Sequence, residues 1–158
     1  MKLNFTGKIR DTNVNSYNLF CVCPIFNQPC SKIINYMLNQ KNNNWVLLLI
    51  NNNSDEFVDD FNNAKTEYKD NNRIFFHQNS ETLTKADCIN FGKEVFFNHT
   101  QFKYFTCLSD CNIYYQNFVG HVLNSFHFNK ADFVYTNFYE HFPNPKFAIP
   151  NGSQYINI

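Results

Sequence analysis

Trp45-Val46-Leu47-Leu48-Leu49-Ile50 is the stretch that decides the fold. Its apolar residues do not alternate with polar ones, so a strand here is buried on both faces, which points to a parallel sheet covered by helices. On the N-terminal side, Leu19-Phe20-Cys21-Val22-Cys23 is a second apolar run, stopped by Pro24. Between the two, residues 29–40 carry Ile33, Ile34, Met37 and Leu38 at helical spacing, with Pro29 suited to a first turn. On the C-terminal side, Ser54 and Asp55 can cap a helix over 55–69 that sets Phe57, Val58, Phe61, Ala64 and Tyr68 on one side. A strand Arg73–His77, a helix over 83–98, a strand over 103–108, a helix over 114–127 and a strand over 132–138 follow. This alternation predicts a three-layer α/β/α, Rossmann-like fold with a mostly parallel central sheet. One domain over 1–158 is expected, with 1–17 as an N-terminal arm. Residues 141–158, holding Pro143, Pro145, Pro150 and Gly152, read as an irregular tail.

Composition narrows the function classes. The 158 residues are 44% hydrophobic, enough for one sizeable core. Thirteen basic residues balance 13 acidic ones, which removes the electrostatic footprint of a dedicated nucleic-acid binder. No apolar run is long enough to span a membrane, and Met1-Lys2-Leu3-Asn4-Phe5 lacks a signal-peptide core, so a cytoplasmic location is expected. The six cysteines lack paired zinc-site spacing and read as reduced thiols. With only 4 Gly the chain has neither a dinucleotide-binding fingerprint nor a P-loop.

Chemistry is expected at the carboxyl ends of the strands, where open α/β sheets bind their ligands. Tyr104-Phe-Thr-Cys-Leu-Ser-Asp-Cys-Asn112 reads as a buried strand running into small polar residues around Asp110. Pro24-Ile25-Phe26-Asn27 and Asn51-Asn52-Asn53-Ser54-Asp55 end on the same rim. One aromatic, several amides and hydroxyls and one carboxylate suit a nucleoside, through stacking, base-edge hydrogen bonds and ribose contacts. Asp110 has a simpler reading as a cap of the following helix, and Lys85 as a solvated helix residue. None of the five histidines has a partner at catalytic spacing.

The order of these motifs resembles the family 2 glycosyltransferases, whose nucleotide-sugar-binding domain has the GT-A fold. Pro24-Ile25-Phe26-Asn27 is similar to that family's Pro-x-Tyr-Asn, and Leu38-Asn39-Gln40 to its Leu-Asn-Gln helix end. Ile50-Asn51-Asn52-Asn53-Ser54 stands where the family has Val-Asp-Asp-Gly-Ser, with amides in place of the acids. Lys85-Ala86-Asp87-Cys88-Ile89-Asn90-Phe91-Gly92 is similar to Lys-Ala-x-Ala-Leu-Asn-x-Gly. The Asp-x-Asp motif lands on Ser109-Asp110-Cys111, and Phe133–Asn137 resembles the Val-Tyr-x-Asp strand beyond it.

The resemblance implies inverting transfer of a sugar from a nucleotide-sugar, expected to be a UDP-sugar, to a hydroxyl of a glycan or protein acceptor. Pro24, Phe26, Asn27, Asn51 and Asn53 would cradle the nucleoside, Lys85 would offset phosphate charge, and Asp110 would face the diphosphate. Asp110 and Asn112 would hold Mn²⁺ or Mg²⁺. No catalytic residue is assigned, because the family's general base is expected in a segment beyond the matched one. A homo-oligomer or a partner domain could complete the site. The competing expectation is a degenerate GT-A module that binds a nucleotide or a protein without turnover.

Overall fold

Strands β1 (Leu19–Ile25) and β2 (Trp45–Asn51) are buried at every position in the computed structural model, as an uninterrupted apolar run requires. The structure describes residues 18–52, 55–98, 102–129, 133–135 and 154–156. Helix α1 (Cys30–Leu38) joins these strands, and α2 (Val58–Glu67), β3 (Ile74–Gln78), α3 (Lys85–Phe97) and β4 (Tyr104–Cys107) follow. After them come α4 (Phe118–Asn129), β5 (Phe133–Tyr135) and β6 (Gln154–Ile156). The first four strands form one sheet in the order β3-β2-β1-β4, every neighbouring pair parallel.

The register sorts the side chains into two faces. Phe20 and Val22 share one face with Val46, Leu48 and Ile50, where Cys88, Phe91 and Val95 of α3 and Phe102 close over them. On the other face, the Phe61 ring of α2 meets Phe76 of β3 edge-on, with centroids 5.3 Å apart. Helix α1 lies beside α2: the Ser31 N–H donates to Asp60 Oδ2 at 3.2 Å. That bond supplies the cap Pro29 cannot, since the N-cap position of α1 has no side-chain hydrogen bond of its own. Helices therefore cover both faces, and the domain is a three-layer, Rossmann-like α/β fold. Among the described residues no helix is long and apolar enough to cross a membrane. All six cysteines are free thiols.

Several elements differ from expectation. Pro24 does not stop β1, which continues to Ile25 along β2. The helix expected over 55–69 starts only at Val58; Phe57 stands at its N-cap without a side-chain bond, and Asp59 and Asp60 supply the first-turn charge a helix N-terminus favours. Ser54 lies outside the described residues. Strand β4 is half-buried to exposed rather than buried, because it is the last strand of the four.

The chain divides into two compact units, Met1–Val119 and Gly120–Ile158. In the second, the strand expected to close the parallel sheet is instead β5, which pairs antiparallel with β6 in a two-stranded sheet of its own. The stretch expected to be an irregular tail therefore holds a strand, too short to show a pattern in the sequence. The expected arm, 1–17, lies outside the described residues.

Helix α3 approaches β1 so closely that a Cβ at Gly92 would overlap Cγ2 of Val22 and come within 3.0 Å of its Cβ and Cγ1. Gly92→Ala should cost about 1–3 kcal/mol in urea denaturation by overpacking. Pairing it with Val22→Ala should recover part of the loss in a double-mutant cycle; strictly additive costs would show that the two positions do not touch.

Candidate functional site

In the order β3-β2-β1-β4 the chain leaves β1 toward β2 and returns on its other side as β4. The connections diverge at the carboxyl ends of β1 and β4, and such switch points are where open α/β sheets bind ligands. Backbone chemistry fixes where the two strands part. The Leu108 N–H donates to the Val22 C=O at 2.7 Å, so the even-numbered residues of β1 turn their backbone groups toward β4. Pro24 is next in that series and has no N–H to give. The ladder with β4 ends at the pair Val22–Cys107, while Pro24–Ile50 and Ile25–Asn51 stay in register on the β2 side.

Phe26 is the following even residue, and its N–H finds a carboxylate instead of a strand. Asp110 Oδ2 accepts from the N–H groups of Phe26 at 2.8 Å, Asn27 at 2.6 Å and Gln28 at 3.2 Å. Its Oδ1 accepts from the Cys111 thiol at 3.6 Å. Asp110 is only 2% exposed. Burial alone would raise its pKa, but the N–H groups of Asn27, Phe26 and Gln28 stabilise the anion more and hold the carboxyl below the usual range. Asp110 does not cap the helix that follows it, since α4 begins only at Phe118.

The loop after β4 is pinned at further points. The Ser109 N–H donates to the Tyr114 hydroxyl at 2.7 Å, and burial pushes the Tyr114 pKa up to about 12. Gln40, at the end of α1, donates to the carbonyls of Tyr36 and Tyr115 and accepts from the Val119 N–H. The Leu-Asn-Gln signature at residues 38–40 therefore has a structural account, with Gln40 buried and its amide used on both sides.

A second set of bonds fixes the start of α3, where Lys85 stands. Asn52 is buried, and its amide accepts from the Leu83 N–H at 2.8 Å and donates to the Leu83 C=O at 2.7 Å. The Asn79 amide and the Cys88 thiol also donate to Asn52 Oδ1. This clasp delivers Thr84, which forms a capping box with Asp87 and starts α3 at Lys85. Burial raises the pKa of the Cys23 and Cys107 thiols and the Lys85 ammonium pulls both back, so its charge acts at the carboxyl ends of β1 and β4.

The structure thus brings together Pro24, Phe26, Asn27, Asp110 and Asn112, with Lys85 acting on the same strand ends. Phe26 is half-buried and packs on the core cluster, whereas Asn27 is exposed. Asn51 is not presented to the rim; it is wholly buried, and its amide donates to Gln78 Oε1 at 2.9 Å. Asn53 lies outside the described residues. His77 is structural, half-buried against the Phe91 ring with its pKa pushed down by burial. Gln28 and Tyr114 carry site geometry with no signal in the sequence, and Gln40, expected only as part of a helix end, pins the loop after β4. The Thr84-x-x-Asp87 box was the one further feature with a local signal.

The donor set expected for Mn²⁺ or Mg²⁺ is a poor match to a hard cation. It offers one carboxylate whose Oδ2 already accepts three N–H groups, beside an exposed, neutral Asn112. Among the described residues no group of three or more His, Cys, Asp or Glu side chains could hold a metal ion.

Asp110→Asn should cost about 1–3 kcal/mol in denaturant titration, because three amides lose their charged acceptor. The folded pKa lies below the unfolded one, so this stability is present above the ordinary carboxylate pKa of about 4 and is lost as pH falls through the folded value. The difference between wild type and variant should therefore shrink on acidification; a gap that is constant with pH would refute the assignment. Asn52→Ala should cost about 1–3 kcal/mol by orphaning the Leu83 backbone, read as faster hydrogen exchange at residues 83–85.

No family model matches the chain, and no curated protein matches it either.

Proposed function

We propose that this chain is the nucleotide-sugar-binding domain of a glycosyltransferase with a GT-A type fold, similar to family 2. The observation that carries the reading is the switch point between β1 and β4, where Asp110 clamps the Phe26–Gln28 loop and Lys85 acts on the same strand ends. A UDP-sugar suits this rim. The uracil would lie against Phe26, the exposed Asn27 would meet the ribose or base edge, and Lys85 would face the diphosphate. In the transfer, an acceptor hydroxyl attacks the anomeric carbon from the face opposite the diphosphate. The bond from that carbon to the diphosphate oxygen breaks, the electron pair leaves with UDP, the hydroxyl proton passes to a base supplied from outside the residues assigned here, and configuration inverts. Offsetting charge on the departing diphosphate is the protein's main task in such a step, and Lys85 is the residue for it.

A second reading, a module that binds a nucleotide without turnover, is favoured by one observation. Asn51 and Asn52, at the positions where the family carries acids, are both spent on internal bonds.

Calorimetric titration with UDP, UDP-sugars and other nucleotides tests the proposal. Saturable binding that prefers uridine nucleotides and weakens about tenfold or more in Phe26→Ala and Lys85→Ala is expected. Failure to bind any nucleotide would sink both readings. Binding without release of UDP in the presence of acceptors would select the second.

A further inference from the structure

We infer that the donor site works without a divalent cation, and that Asp110 is a positioning residue which shapes the Phe26–Gln28 loop rather than a metal ligand. The inference rests on the nucleotide-sugar reading above and departs from the metal-dependent chemistry which that resemblance implies.

The geometry of the carboxylate carries it. Oδ2 accepts three backbone N–H groups from consecutive residues, which uses that oxygen fully. A cation drawing on Oδ2 would have to displace donors that also hold the end of β1 in place. Oδ1 faces the Cys111 thiol, and the residue is almost wholly buried. Its neighbours make no better ligand set. The Ser109 hydroxyl accepts from the Cys111 N–H, the Ser109 carbonyl accepts from the Asn112 N–H, and Asn112 offers only a neutral exposed amide. Manganese and magnesium prefer carboxylate oxygens, and a single engaged carboxylate cannot meet that preference.

After Pro24 leaves the ladder with β4, Ile25 stays paired with β2, and the three captured N–H groups are the next donors along the chain. Without Asp110 they would turn to solvent, and the loop bearing Phe26 and Asn27 would lose its fixed direction. The dipoles of these amides point at the Asp110 carboxylate and offset part of its field toward a diphosphate, while its net charge remains. Lys85, which begins α3 behind the Thr84–Asp87 capping box, is the cation we assign to that diphosphate.

The test has two arms on the full chain. In the first, Mn²⁺ alone is titrated while the backbone amides are followed by NMR. The amides of Phe26, Asn27 and Gln28 should keep their intensity, whereas selective paramagnetic broadening of these three would overturn the inference. In the second, UDP affinity is measured in Mn²⁺ and in EDTA. The two values should agree within about twofold, and Asp110→Asn should weaken both by one common factor while the three amide resonances move. Affinity raised about tenfold or more by Mn²⁺, with the gain lost in Asp110→Asn, would overturn the inference and leave the nucleotide-sugar reading standing. Absence of UDP binding in both conditions would instead remove that reading and the inference with it. If Asp110→Asn does not fold, the wild-type titrations decide alone.

Discussion

The carboxylate of Asp110, shared among the N–H groups of Phe26, Asn27 and Gln28, is the contact on which the rim of this domain depends. It joins positions 83 residues apart and replaces a strand partner at the place where β1 and β4 separate. A neutral acceptor could satisfy one of these donors, but a carboxylate can accept several at once and strengthens each by charge. The same bonds explain why a buried acid stays ionised. Desolvation works against the charge, and three oriented dipoles overcome it.

From that contact the rest of the rim follows in two directions. Toward the C-terminus, the Ser109–Tyr114 hydrogen bond and the bridging amide of Gln40 fix the loop that carries Asp110. Toward β2, the Asn52 clasp on Leu83 sets where α3 begins, and so where Lys85 stands. Beneath both, the absence of a side chain at Gly92 lets α3 sit against Val22. Polar side chains bond the backbone at these points of the rim, and Asn27 and Lys85 are among its exposed groups.

The proposed role in nucleotide-sugar chemistry and the proposed independence from divalent metal both come from reading this rim as a whole. A motif with one acid where two are usual can be taken as a weakened metal site. The bonds around Asp110 give another account, in which the acid has become part of the frame and the cationic work falls to Lys85. Asn51 and Asn52 fit the same pattern, since amides can donate and accept at once where acids only accept. That dual capacity is what the Leu83 clasp uses.

The sequence by itself determined the layered α/β architecture. Unbroken apolar runs at Leu19–Cys23 and Trp45–Ile50 require burial on both faces, and helical spacing in the segments between them supplies the covers. It also marked Asp110, Phe26 and Asn27 as neighbours, because strand ends in such a fold share one rim. It could not show what Asp110 does there, since its partners are backbone amides, which every residue carries and no side-chain pattern reveals. The continuation of β1 past Pro24 was hidden for a related reason. A proline breaks only the ladder its missing N–H faces, and which neighbour lies on that side is a property of the sheet. The placing of β5 with β6 was likewise decided by strand pairing between short segments far apart in the chain, where three residues carry too little pattern to announce a partner.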